Sequence, residues 1–73
     1  MSLHPLSDDE INAIREQLQL LQEEHRDLDM VITHLIEQPP PDDLLVRRLK
    51  KRKLQLRDRI LILEQMLIPD IPA

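Results

Sequence analysis

The 73-residue sequence contains no cysteine, no glycine and no aromatic residue, and each absence excludes a class of function. Without cysteine the chain can form no disulfide and offers no thiol nucleophile. Without glycine it cannot form the glycine-rich loops that bind phosphate groups. Without Phe, Tyr or Trp it has no ring on which a nucleobase could stack and none to anchor at a bilayer surface.

Long hydrophobic runs are also missing. The longest uninterrupted apolar run, Ile60 to Leu63, is far too short to span a membrane. The first five residues do not combine a basic region with an apolar run, so they do not predict a secretory signal. We therefore predict a soluble protein of the cytoplasm.

The apolar residues that are present form two ladders, one on each side of the three prolines Pro39–Pro41. The first ladder consists of Ile11, Ile14, Leu18, Leu21, His25, Leu28, Ile32 and Leu35, and the second of Val46, Leu49, Lys53, Leu56, Ile60, Leu63 and Leu67. Alternating steps of three and four keep one line of side chains facing a partner helix. If the chain folds back at the prolines, each rung meets the rung whose number sums with it to 81. The sequence therefore predicts an all-α fold, an antiparallel two-helix hairpin packed like a coiled coil.

Both helices have a predicted beginning and end. Ser7 and Glu10 form a capping box, and Asp42 or Asp43 can cap the second helix. Pro69 cannot continue that helix. We predict a single domain, residues 1–73, with helix 1 at about 8–38, a proline turn at 39–41, helix 2 at about 43–68 and a loose tail at 69–73.

The two predicted helices carry opposite charge. Residues 7–38 contain nine acids and two arginines, a net charge of −7, whereas residues 42–68 contain eight bases and four acids, a net charge of +4. Pairing the helices neutralises this charge and favours one register. In the register that sums to 81, the opposite charges that lie near each other are Asp29 and Lys50, Glu24 and Arg59, and Arg15 and Glu64.

More apolar residues lie outside the ladders than a two-helix coil can cover. A helix that is apolar over so wide an arc is normally buried on more than one side. We predict that self-association covers them, giving a homodimer, or alternatively a tetramer, with the architecture of a four-helix bundle. A different protein is the competing occupant. The predicted self-association stripe comprises Leu20, Met30, Leu54, Leu61, Ile62 and Ile68.

His25 and Lys53 are the polar rungs of the ladders, and polar residues in a seam commonly fix register and oligomeric state. Lys53 can lay its stem along the seam and reach Asp29 or Asp27 with its ammonium group. Gln22 stands where a Glu-x-x-His metal motif would need its glutamate. Because two packed helices also offer no cleft for a pair of catalytic carboxylates, we predict no catalytic, cofactor-binding or metal-binding residues and no enzyme activity.

A basic run at the start of helix 2 is the one feature that favours a polyanionic partner. Basic helices can neutralise the phosphates of nucleic acids or the headgroups of anionic lipids. Against this, the protein is acidic overall, at a net charge of −4, and an acidic helix lies alongside. The candidate patch comprises Arg47, Arg48, Lys50, Lys51, Arg52 and Arg57.

The stretch from Leu18 to Leu63 resembles the YdcH-like family, small bacterial proteins classed as a domain of unknown function, most specifically between Leu49 and Ile60. The resemblance implies a self-associating helical hairpin without established activity, cofactor or partner. Its marked positions fall on His25, Leu28, Asp29, Lys50, Lys51, Lys53, Leu54 and Asp58. The chain departs from the family at its proline turn and at Leu18, where relatives often carry an aromatic residue. We predict a non-catalytic, oligomeric interaction or scaffold module, with polyanion binding as the alternative.

Overall fold

A computed structural model of the chain describes residues 6–41 and 43–68, and both of its elements are α-helices that pack against each other. Helix α1 spans Asp8–Glu37 and helix α2 spans Asp43–Leu67. The five residues between them reach at most about 18 Å, roughly half the length of α2, so the helices must run antiparallel. The hairpin measures 52 × 23 × 16 Å.

The helix ends lie within one residue of those that the sequence predicts. Helix α1 ends at Glu37, one residue early, and the Gln38 N–H still bonds the His34 carbonyl at 2.9 Å. Helix α2 ends at Leu67 rather than at about residue 68. The predicted cap at Asp42 and the predicted loose tail at 69–73 lie outside the described residues.

The start of α1 is fixed by the predicted capping box. The Ser7 hydroxyl accepts a hydrogen bond from the Glu10 N–H at 3.1 Å, and the Ser7 N–H donates to Glu10 Oε1 at 3.1 Å. This backbone bond, and then the Ser7 side chain, lower the pKa of Glu10 below its ordinary value because both favour the ionised carboxylate. Two N–H groups that the helix itself cannot satisfy are therefore paired.

The core of the hairpin is the seam, which consists of the fifteen residues of the two ladders. Every seam residue is buried or half-buried, and every other residue of α1 and of α2 is exposed. Within the two described helices, four side chains are fully buried: Ile14, Ile32, Leu56 and Leu63. The 3–4 spacing therefore identifies the packed face of both helices completely, and the hydrophobic core that results is small.

Candidate interaction surface

The polar rungs of the seam lie where the sequence places them. His25 and Lys53 are both half-buried, and the Lys53 ammonium donates a hydrogen bond to Asp29 Oδ1. The Lys53 side chain is 34% exposed and that of Asp29 is 55% exposed, so the pair sits at the edge of the seam rather than inside it. The hydrogen bond and the charge of Lys53 lower the pKa of Asp29, and the charge of nearby His25 adds to this effect.

The second ion pair differs from the predicted one. Arg52 Nη2 donates to both Glu24 oxygens, at 3.1 and 3.4 Å, and Arg52 Nε adds a bond to Oε1 at 3.3 Å. The register predicted Arg59 near Glu24, and Arg52 precedes Arg59 by one heptad on the same side of α2. The pattern selects the correct side, but it cannot choose between two long arginine side chains that lie one heptad apart on that side.

The other two predicted pairs, Asp29 with Lys50 and Arg15 with Glu64, do not form ion pairs within the described part of the chain. Asp29 binds Lys53 instead of Lys50, because the seam lysine emerges beside it. In the same part of the chain, Arg15 and Glu64 do not form an ion pair, and both side chains are exposed to solvent. Surface charges of this kind gain little from a fixed geometry.

The two ion pairs mark the two broad faces of the hairpin. Successive residues of an α-helix lie about 100° apart around its axis, so a residue directly after a seam residue lies on one face and one directly before it lies on the other. Asp29 and Leu54 directly follow the seam residues Leu28 and Lys53, and they define what we call the stripe face. Arg52 directly precedes Lys53 and lies on the opposite face.

Three exposed apolar residues form a line along the stripe face, and we call this line the outer stripe. Leu54, Leu61 and Ile68 each directly follow a seam residue and are seven residues apart. They are 54%, 47% and 65% exposed. Ile68 comes just after the end of α2, but its N–H bonds the Gln65 carbonyl at 3.3 Å, so the chain is still turning at this point.

The other members of the predicted self-association stripe are exposed but lie elsewhere. Leu20 and Ile62 directly precede seam residues, which places them on the opposite face. Met30 neither directly follows nor directly precedes a seam residue, so it lies on the side of α1 that points away from the seam. The six predicted residues are therefore exposed, as a docking surface requires, but the helical periodicity divides them between three directions.

The basic run is divided in the same way. Arg47, Lys50 and Arg57 lie on the stripe face, Arg48 and Arg52 on the opposite face, and Lys51 at the outermost line of α2. On the stripe face, a shallow groove of about 200 Å³ is lined by His25, Lys50, Lys53, Leu54 and Arg57. Among the described residues, neither Lys50 nor Arg57 has an ion-pair partner.

A second groove, of about 300 Å³, lies at the turn and was not predicted. Its walls include Ile36, Pro40 and Arg47, and it shares Lys50 with the first groove. Pro39 and Pro40 form part of its wall, where the chain leaves α1 because prolines cannot continue the helix. The signal in the sequence was the triproline itself, which we used only to place the turn.

The described residues contain no group of three or more His, Asp or Glu side chains arranged to hold a metal ion. Neither helix in that part of the chain combines the length and the apolar character needed to cross a membrane.

Comparison with known protein families gives a match over the middle of the chain, where the polar rungs and the groove on the stripe face lie. The profile of a family described as protein of unknown function (DUF465) matches residues 18–64, which is more than half of the chain. The chain belongs to DUF465. The match covers both polar rungs, all residues that line the groove on the stripe face, and two of the three residues of the outer stripe. It coincides with the stretch on which the resemblance was based. No curated protein and no solved structure matches the chain.

Proposed function

We propose that this DUF465 protein is a non-catalytic, YdcH-like interaction module of the cytoplasm that self-associates through its outer stripe, giving a four-helix assembly in which α2 of one copy packs on α2 of the other. The single observation that carries the proposal is the distribution of apolar side chains. Among the described residues, eleven large hydrophobic side chains are exposed, whereas four are fully buried. A lone hairpin with so small a core gains stability if a second copy covers part of this surface.

The outer stripe is the part of that surface best suited to a helix. Its three residues repeat at seven, so they present a straight apolar line to a partner helix rather than scattered contacts. Leu54 and Leu61 belong to α2 and Ile68 directly follows it, all three lie on one face, and Leu54 also lines the groove next to them. Two identical stripes can meet about a two-fold axis, which is the commonest symmetry of homodimers.

The test is the solution mass of the full chain across a concentration series, measured by light scattering. We expect a stable species of twice the 8.7 kDa chain mass, or four times that mass if dimers pair. Leu61→Glu should shift the population towards the 8.7 kDa monomer, because it places a charge in the middle of the stripe.

Ile62→Glu is the matched control. Ile62 is the next residue and is 49% exposed, against 47% for Leu61, but it lies on the opposite face. This variant should keep the mass of the wild type. A wild-type chain that stays at 8.7 kDa at high concentration, or two variants that behave alike, would contradict the proposal.

A second candidate function is polyanion binding, and the groove that contains Lys50, Lys53 and Arg57 favours it. Three cations surround this groove, and two of them have no carboxylate partner among the described residues. Titration with DNA, RNA and acidic liposomes at two salt concentrations tests it, since such binding weakens steeply with salt. Lys50→Glu should abolish binding, whereas Arg48→Glu, on the opposite face, should only weaken it. No binding at low salt would leave self-association as the sole proposal.

A further inference from the structure

We infer that the second copy docks antiparallel on the outer stripe, about a two-fold axis beside Leu61, with Arg57 of each copy next to Glu64 of the other. This inference rests on the proposed function and adds the register and polar contacts of the interface. In this alignment, facing residues have numbers that sum to about 122. Leu54 of one copy then packs against Ile68 of the other, and Leu61 packs against its own counterpart.

The apolar residues select this register among antiparallel ones. A shift by one heptad would place Leu54 opposite Leu61 but would leave Ile68 opposite Arg47. Only the sum of 122 buries all three stripe residues of both copies. These side chains are 47–65% exposed in the hairpin, and the interface would remove their exposed apolar surface from water.

The charges beside the stripe agree with the same register. Arg57 and Glu64 directly follow the seam residues Leu56 and Leu63, so both lie on the stripe face, next to the outer stripe. Their numbers sum to 121, within one residue of the apolar register. Both are exposed and neither has an ion-pair partner among the described residues. The two-fold axis makes the contact occur twice.

A parallel alignment would bury the same three residues, but its charges do not favour it. The residues that lie between the outer stripe and the seam would then face the residues on the side of the other α2 that is farthest from α1. Arg57 would lie beside Asp58 of the second copy, which is attractive, and Lys50 beside Lys51, which is repulsive. In the parallel arrangement the two helix dipoles also point in the same direction and repel each other. The antiparallel register has two attractive pairs and no repulsive one.

Charge reversal tests the register, with the dimer dissociation constant measured by sedimentation equilibrium. Arg57→Glu and Glu64→Arg should each raise Kd about 10-fold, since each converts two attractive contacts into repulsive ones. The double variant should return Kd to within about 3-fold of the wild type, because the pairs are restored with their charges exchanged. Arg59→Glu is the matched control on the opposite face and should leave Kd unchanged.

Other outcomes separate the register from the proposed function. If Glu64→Arg has no effect and the double variant stays as weak as Arg57→Glu, the copies are parallel and the inference is overturned. If all charge variants match the control while Leu61→Glu still dissociates the dimer, self-association through the stripe stands but this register is wrong. If Leu61→Glu remains dimeric with wild-type helicity by circular dichroism, the proposed function and the inference both fail.

Discussion

The seam and the outer stripe both run along α2 and are both rich in leucine and isoleucine, yet the hairpin covers only one of them. In the seam, Leu56 and Leu63 are 1% and 2% exposed. In the outer stripe, Leu54 and Leu61 are 54% and 47% exposed. Leu54 and Leu56 are two residues apart in the same helix, so neither composition nor local helix stability accounts for the difference.

The difference in exposure between the seam and the outer stripe follows from the number of residues that each repeat has per heptad. Alternating steps of three and four give the seam two rungs per heptad, which interlock with the two rungs of α1. The outer stripe has one residue per heptad, and α1 cannot wrap around α2 to reach it. Within the described residues, neither helix covers the second repeat. The cover that we propose for it is a second copy of the chain.

The strongest test of this contrast is a pair of truncations, Leu56→Ala and Leu54→Ala. Leu56→Ala should lower the free energy of unfolding by about 2–5 kcal/mol, because it leaves a cavity in a small core, in which four of the described side chains are fully buried. Leu54→Ala should cost less than about 1 kcal/mol within the hairpin and act mainly on self-association. Urea unfolding followed by circular dichroism measures both. Equal losses for the two variants at high dilution would mean that the seam is not the core.

The polar rungs offer the next largest effect, in the stabilising direction. Replacing both His25 and Lys53 with leucine should raise the free energy of unfolding by about 1–2 kcal/mol, because polar seam residues lower stability to gain register. The same change should broaden the distribution of oligomers seen by light scattering. A loss of thermal stability together with one sharp oligomer would contradict this account of the polar rungs.

The sequence was sufficient to predict the seam because burial in a coiled coil depends on spacing alone. All fifteen rungs are covered, including His25 and Lys53, and the capping box at Ser7 forms as predicted. These features depend on residues three or four apart in the chain, whose relative positions a helix fixes. The sequence narrowed the acceptor of Lys53 to Asp29 or Asp27, since a seam lysine has few carboxylates within reach, and the structure shows that it is Asp29.

Partners and faces were less predictable. Glu24 binds Arg52 rather than Arg59, a choice that depends on the conformations of long exposed side chains, which spacing does not determine. The predicted six-residue stripe combined Ile62 with Leu61 although neighbours in a helix lie about 100° apart. Assigning each residue to the position before or after a seam residue would have separated them from the sequence alone. The groove at the turn depends on the path of the prolines, which has no such periodic rule.

The capping box gives a smaller effect that belongs to neither repeat. Ser7→Ala should destabilise the hairpin by about 1 kcal/mol, because the Glu10 N–H loses its acceptor. Thr33→Ala is the matched control, since its hydroxyl only bonds the Asp29 carbonyl, at 2.9 Å within the helix, and its loss should be close to neutral. Thermal unfolding of both variants distinguishes them. Equal shifts would show that the box contributes nothing specific to the helix end.

The smallest effect concerns the pair that connects the seam to the stripe face. Because Lys53 lowers the pKa of Asp29, the folded state favours the ionised carboxylate. The pair therefore contributes stability at pH values above the unfolded pKa of an aspartate, about 3.9, and this contribution is lost as the pH falls through the lower folded value. Near neutral pH the contribution is complete, so this group should not make stability vary with pH there.

NMR titration of the Asp29 carboxyl measures the effect directly. Its pKa should lie below the ordinary value in the wild type and rise towards that value in Lys53→Met, which keeps an apolar stem in the seam but removes the charge. Arg52→Met, one residue earlier and on the opposite face, should leave Asp29 unchanged, because Arg52 binds Glu24. If Arg52→Met raised the pKa of Asp29 as much as Lys53→Met, the two ion pairs would share one face, and the separation of the outer stripe from the opposite face would be wrong.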